Sequence, residues 1–152
     1  MDLEAPSTAI TLAGTAPTEG GLPMTFGDDA TNATIWINYS SIVGSTIESA
    51  RNVSVQITDG FVPAGLKLTA LAAGDAGNGA GTMGAASAAL TLTGTAQDII
   101  TGVGSAYTGD GATNGHLLTY QLGYATDAAT DYDALDFDNS DVLTITYTLS
   151  DI

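Results

Sequence analysis

Val142-Leu143-Thr144-Ile145-Thr146-Tyr147-Thr148-Leu149 alternates over its whole length. Val142, Thr144, Thr146 and Thr148 form one row; Leu143, Ile145, Tyr147 and Leu149 form the other. Successive side chains of a β-strand point to opposite faces, so this segment reads as a strand with one oily face and one threonine face. The apolar row predicts the buried side. A slip of one residue would bury the hydroxyls and expose every large side chain, so the register is a single choice. A chain that closes on such a strand is expected to be an antiparallel β-sandwich, with this strand lying inside its sheet.

The same two-residue period recurs upstream. Thr34-Ile35-Trp36-Ile37-Asn38-Tyr39 puts Ile35, Ile37 and Tyr39 on one face, with Trp36 in the strand as a buried or half-buried aromatic. Val53-Ser54-Val55-Gln56-Ile57-Thr58 is a clean half-buried strand. Asp59-Gly60 and Pro63-Ala64-Gly65 carry turn chemistry, and Leu66-Lys67-Leu68-Thr69-Ala70-Leu71 is expected to return as the hairpin partner. Ala89-Leu90-Thr91-Leu92-Thr93 alternates. Leu118, Tyr120, Leu122 and Tyr124 align in a long strand. Residues 97–103 are apolar without a clear period and fit a strand or a short helical turn.

Between these lie a Gly/Ala-rich stretch at 72–86, expected to be a long flexible loop, a Gly-rich loop at 104–115 and an acidic loop at 127–141. No segment spaces apolar residues three and four apart between helix caps. The pattern is all-β, with about seven to nine short strands.

Residues 1–34 read as an N-terminal arm and linker, and 35–152 as the sandwich domain. Within the arm, Thr8-Ala9-Ile10-Thr11-Leu12-Ala13 alternates and is followed by a Gly/Pro/Thr-rich tether at 14–23. Met24-Thr25-Phe26 reads as a further short strand.

Composition narrows the partners. The chain has 152 residues, 17 acidic and 2 basic, Arg51 and Lys67, giving a formal net charge of −15. Nucleic-acid phosphates and anionic membranes both demand Lys and Arg, so neither is an expected partner. Charged residues make up only 12% of the chain, while Gly, Ala, Thr, Ser and Asp dominate. A salt-adapted surface would carry denser charge, so the composition points to a secreted or cell-surface protein. The run Met1-Asp2-Leu3-Glu4-Ala5-Pro6 has neither the basic nor the apolar region of an export signal, so this localisation rests on composition. Cysteine is absent, which removes disulfides, thiol catalysis and Cys-based metal sites.

Several stretches carry a family likeness. Tyr39-Ser40-Ser41-Ile42-Val43, Val62-Pro63-Ala64-Gly65-Leu66-Lys67-Leu68-Thr69 and Leu143-Thr144-Ile145-Thr146-Tyr147-Thr148-Leu149 resemble secreted bacterial surface proteins of the fimbrial-subunit kind, including those related to spore coat protein U. Residues 100–109 and 115–120 resemble segments of exported β-rich proteins of the same general sort. The resemblance spans about residues 35–152. It implies an immunoglobulin-like sandwich of the pilin type, assembled by donor-strand complementation, in which a segment of one subunit fills a missing strand of the next. The chain departs from many such subunits in having no cysteine to form their disulfide.

Chemistry-bearing clusters are sparse. Asp131, Asp133, Asp136, Asp138 and Asp141, with Asp127 and Asn139 nearby, offer hard oxygen ligands that suit calcium, but without the glycine and closing glutamate of an EF-hand loop. The same residues also favour turns through local hydrogen bonds. Asp75-Ala76-Gly77-Asn78-Gly79 and Gly109-Asp110-Gly111 read as turns. His116 is the sole histidine. It begins a strand, where a structural role is the commoner fate. No Gly-x-Ser-x-Gly elbow frames a serine, and carboxylates gathered in one loop do not oppose each other across a cleft. No catalytic set is assigned and an enzyme is not expected.

Asn32, Asn38 and Asn52 sit in N-glycosylation sequons. The expected function is a structural subunit of an extracellular filament or surface layer, a homo-oligomer with Ile10 and Leu12 as donor-strand anchors. The alternative is a monomeric adhesion or carbohydrate-binding module, whose loop Tyr and Asp side chains contact a glycan.

Overall fold

The computed structural model describes residues 1–4, 9–136, 138 and 140–152. The chain is all-β with little helix, in three antiparallel sheets. Its strands are β1 (Asp2–Glu4), β2 (Thr31–Asn38), β3 (Ser40–Ser41), β4 (Arg51–Asp59), β5 (Leu66–Ala72), β6 (Ala80–Gly81), β7 (Ala85–Ala86), β8 (Leu90–Thr91), β9 (Gln97–Val103), β10 (Ala106–Tyr107), β11 (His116–Tyr124) and β12 (Thr144–Asp151). A five-stranded sheet runs β1-β2-β11-β5-β8, a four-stranded sheet runs β12-β4-β9-β7, and a small sheet runs β3-β10-β6.

One core joins the two larger sheets. Ile35, Ile37, Leu68, Ala70, Leu118 and Tyr120 come from the five-stranded sheet, and Val53, Val55, Ile57, Ile99, Ile100, Val103 and Tyr147 from the four-stranded one. Each follows the parity its strand predicts, except on β9. There Ile99 and Ile100 are both fully buried. The β4–β9 pairing shifts register between Arg51 and Val53 and again between Val53 and Ser54. An extra residue on one strand breaks the alternation, which is why this segment shows no clean period in the sequence. Gly102, at φ +72, lies in the same irregular stretch.

The closing strand keeps its expected faces. Tyr147 is buried, Ile145 and Leu149 pack half-buried on the core, Thr144 and Thr148 are exposed, and Thr146 is half-buried. Its position in the sheet differs from expectation. Among the described residues β12 pairs with β4 alone and forms the outer edge of its sheet. Alternation specifies two faces but says nothing about how many neighbours a strand has.

The predicted hairpin between 53–58 and 66–71 does not form. β4 lies in the four-stranded sheet and β5 pairs with β11 and β8 in the other. The turn at 60–65 carries the chain across the core. Gly60 takes φ +75, and a Cβ there would collide with the Val142 carbonyl. Residues 72–86, expected as one loop, instead supply β6 and β7 and anchor through Ala73 N–H to Leu117 and Ala76 N–H to Gly115. The acidic loop contains one short helix, α1 (Ala128–Asp131), and a 3-10 turn at Tyr132–Ala134. No helix of the described residues is long and apolar enough to cross a membrane.

Candidate assembly edge and adjoining cleft

β1 and β12 are each one of the two edge strands of the larger sheets, whose opposite edges are β8 and β7. β1 pairs with β2 in the register Asp2↔Asn38, Leu3↔Ile37 and Glu4↔Trp36. A groove of about 370 Å³ lies between the two edges, lined by Met1, Asp2, Leu3, Ile145, Thr146 and Tyr147. An edge strand with a partly apolar trough beside it is a surface that another strand can extend; on β1 the Leu3 amide is held by the Asp2 carboxylate at 2.8 Å.

The wall of this groove is stiffened from beneath. The hydroxyls of Tyr120 and Tyr147 meet at 2.7 Å inside the core and tie the two sheets together. Burial, and then the neighbouring Tyr120, push the Tyr147 phenol well above the ordinary tyrosine value. Burial raises Tyr120 as well, partly offset by the hydrogen bond from its partner.

A larger cleft of about 640 Å³ adjoins this groove and shares Met1 and Asp2 with it. It is bounded by Met1 and Asp2, by Asn38, Tyr39 and Ser40, and by Tyr107, Gly109 and Asp110. The small sheet builds its floor. Tyr107 pairs with Ser40 on β3 and with Ala80 on β6, so an aromatic side chain stands between two small ones. Tyr107 is 56% exposed.

Behind the cleft, His116 is 1% exposed. Its ring stacks on Tyr39 with centroids 5.6 Å apart. Nε2 meets the Tyr39 hydroxyl at 2.8 Å, and Nδ1 donates to the Ala73 carbonyl at 2.8 Å. The Tyr39 hydroxyl also lies within hydrogen-bond reach of the Met83 carbonyl, and its single proton serves one of these two acceptors. Burial raises the Tyr39 phenol, and the Asp75 carboxylate adds to this. The lone histidine is therefore a clasp that holds residues 73–83 to the end of β11. Gly115, at φ +71, lets the chain pass close to β2, where a Cβ would strike the Ile37 carbonyl.

The sequence-derived candidates divide as follows. Ile10 and Leu12 lie outside any strand, half-buried against the chain's own core. Thr8, the first residue of that alternating stretch, falls outside the described residues. Asp131 is half-buried, and its Oδ2 accepts from the Thr126 and Asp127 amides at 2.5 and 3.0 Å. Asp127 caps α1 by accepting from the Thr130 amide at 2.9 Å. Asp136 accepts from the Asp138 amide at 3.0 Å. Asp133, Asp138 and Asp141 are exposed, and Asn139 falls outside the described residues. Among the described residues no three acidic or histidine side chains converge as ligands for one ion. The carboxylates of this loop that form hydrogen bonds are occupied in turn and cap geometry.

Two of the sequon asparagines are buried. Asn52 donates to Asp98 at 2.8 Å and accepts from the Gly102 amide at 3.0 Å, holding the irregular part of β9. Asn38 donates to the Gly111 carbonyl at 3.0 Å. Asn32 is half-buried and accepts from Thr34. In the folded chain Asn38 and Asn52 are therefore structural and closed to a glycosylating enzyme. Sequence reading missed β1, which is too short to show a period. It offered Trp36, Tyr39, Tyr107, Tyr120, Tyr124 and Tyr132 as a possible sugar-binding face; of these Tyr39 and Tyr120 are buried in the core, while Tyr107 is exposed beside the cleft. No protein-family model, curated protein or solved structure matches this chain.

Proposed function

We propose that this chain is a secreted structural subunit of an extracellular filament or surface layer, built on an immunoglobulin-like sandwich and assembled by strand complementation between copies. The observation that supports this is the groove between the free edges of β1 and β12, with Leu3, Ile145 and Tyr147 in its wall. An inserted strand would extend either sheet and place alternate apolar side chains against this wall. That is the arrangement a pilin-type subunit needs. Filling a heterologous groove with a segment from the next copy produces an open chain of subunits rather than a closed pair. Ile10 and Leu12 remain the proposed donor anchors. They leave their half-buried sites on the parent core when a neighbour's groove is available.

The test uses the absence of cysteine. Ile10→Cys and Ile145→Cys variants are prepared separately, mixed under assembly conditions and oxidised. A disulfide-linked heterodimer on a non-reducing gel, with filaments in electron micrographs, is the expected result. Filaments without that crosslink, assembling unchanged when Ile10 and Leu12 are both replaced by Asp, would remove the arm as donor. A protein that stays monomeric under all conditions would remove the filament reading.

A further inference from the structure

We propose that Asn78 is a site of covalent self-modification, converted to aspartate or isoaspartate by attack of the Gly79 amide nitrogen on the Asn78 side chain. Among the described residues two asparagines precede glycine, Asn78 and Asn114. Asn32, Asn38 and Asn52 precede Ala, Tyr and Val, whose side chains shield the following nitrogen as glycine does not. The fold separates the two Asn-Gly pairs. Asn78 is exposed, as are Ala76 and Gly77 before it. Its side chain is held by one surface hydrogen bond, Nδ2 donating to the Thr113 carbonyl at 3.2 Å. Among the described residues no backbone hydrogen bond outside the strands uses the Asn78 or Gly79 amide. Asn114 is half-buried and held twice. Its own amide donates to the Gly111 carbonyl at 3.3 Å, and its Nδ2 donates to the Asp110 carbonyl at 2.5 Å. Gly115, which would supply the attacking nitrogen there, is buried.

The reaction needs water and no other partner. The Gly79 nitrogen gives up its proton and bonds to Asn78 Cγ, the Cγ–Nδ2 bond breaks, and Nδ2 leaves as ammonia. Water then opens the five-membered imide. Opening at Cγ leaves aspartate; opening at the Asn78 main-chain carbonyl leaves isoaspartate. No atom is oxidised or reduced. Gly79 is packed so closely that a Cβ there would strike the Tyr107 carbonyl. The approach therefore falls to Asn78, an exposed residue in a loop, where local opening is least opposed. Asn114 must break two hydrogen bonds and shift a buried glycine to reach the same geometry. The product at position 78 carries a carboxylate where Nδ2 donated. It cannot bond the Thr113 carbonyl, and it adds a negative charge to a chain already at −15. Residues 73–79 thereby lose one of their ties to the loop at 110–115, irreversibly. The site is separate from the β1–β12 groove and does not depend on strand exchange.

The test is peptide mapping by mass spectrometry after incubation of the intact chain at mildly alkaline pH and 37 °C, with a parallel sample in urea. Chymotryptic cleavage after Tyr107 places Asn78 and Asn114 in different peptides. In the folded chain the Asn78 peptide is expected to gain the mass of amide-to-acid conversion, as a pair of aspartate and isoaspartate isomers. The Asn114 peptide should convert about tenfold or more slowly, because the fold protects it. In urea the two rates should converge, since both asparagines then precede an unrestrained glycine. Asn78→Gln should abolish the mass gain in the first peptide and leave the second unchanged. Equal rates in the folded chain, or faster conversion at Asn114, would overturn the proposal. So would an Asn78 peptide that converts in urea and stays intact in the folded chain.

Discussion

The Tyr120–Tyr147 pair is the contact where one atom matters most. Each hydroxyl is buried and each is the other's partner at 2.7 Å. Removing one leaves the other unpaired, which costs about 1–3 kcal/mol; removing both restores an apolar match and is nearly neutral. Tyr147→Phe should therefore lower stability in urea unfolding, and adding Tyr120→Phe should recover most of the loss. Equal and additive losses would show that the hydroxyls act independently.

The same tyrosines set the alkaline limit of the fold. Burial raises the phenols of Tyr39, Tyr120 and Tyr147 above the ordinary value of 10.0. A raised folded value means the native state holds its protons while the unfolded chain releases them. Stability from this source is complete below pH 10 and falls as pH rises past it. Alkaline titration should show a cooperative unfolding above about pH 10, with tyrosinate absorbance rising in step with the loss of the fold. Full tyrosinate absorbance from a chain that is still folded would mean that these phenols are open to water.

At the scale of the strand, β12 gives the sharpest contrast. Ile145 packs half-buried on the core, while Thr146 meets the Thr58 hydroxyl at 2.8 Å on the outer face. Ile145→Asp places a charge against apolar neighbours and should cost about 3 kcal/mol or more, enough to unfold much of the population. Thr146→Asp loses one exposed hydrogen bond and should cost about 1 kcal/mol or less. Thermal melts of the two variants decide this. A Thr146→Asp loss as large as that of Ile145→Asp would show that the outer face is also covered, by a neighbouring subunit.

Strands of this kind were legible because burial imposes parity on each residue. Ile35 and Ile37, Val53 to Ile57, Leu118 and Tyr120, and Ile145 and Tyr147 all face where their alternation puts them. Pairing was not legible. Parity is identical whether β5 returns beside β4 or crosses to the other sheet, and the turn at 60–65 decides between them. The short strands were invisible for a related reason. β3, β6 and β10 are each two residues long and exist because the chain around them is held in place, Gly81 at φ +101 among it. The cleft they form around Tyr107 therefore had no pattern of its own. In the acidic loop, turn-forming and metal-binding aspartates have the same spacing, and the geometry shows Asp127, Asp131 and Asp136 engaged in turns.

At the scale of the whole molecule, charge governs association. Two copies of net charge −15 repel, and Arg51 is already paired with Asp151 at 2.6 Å. An exposed pair of this kind contributes at most about 1 kcal/mol and does little to offset the total. Any assembly of identical subunits must therefore proceed against long-range repulsion. Screening shortens the range of that repulsion from about 30 Å at 0.01 M salt to about 3 Å at 1 M. Self-association, followed by light scattering, should be weak at low ionic strength and should strengthen as NaCl is added. Calcium gives a second, separable outcome. If it acts only by screening, calcium and NaCl at equal ionic strength will have the same effect. If the loop from Asp127 to Asp141 gathers its exposed carboxylates around an ion, millimolar calcium will raise the melting temperature beyond the matched NaCl control. Asp133→Asn and Asp138→Asn will then remove that increment without touching the salt response. A melting temperature that is the same in calcium, in chelator and in matched NaCl leaves the loop with its turn-forming role, and leaves assembly to respond to ionic strength alone.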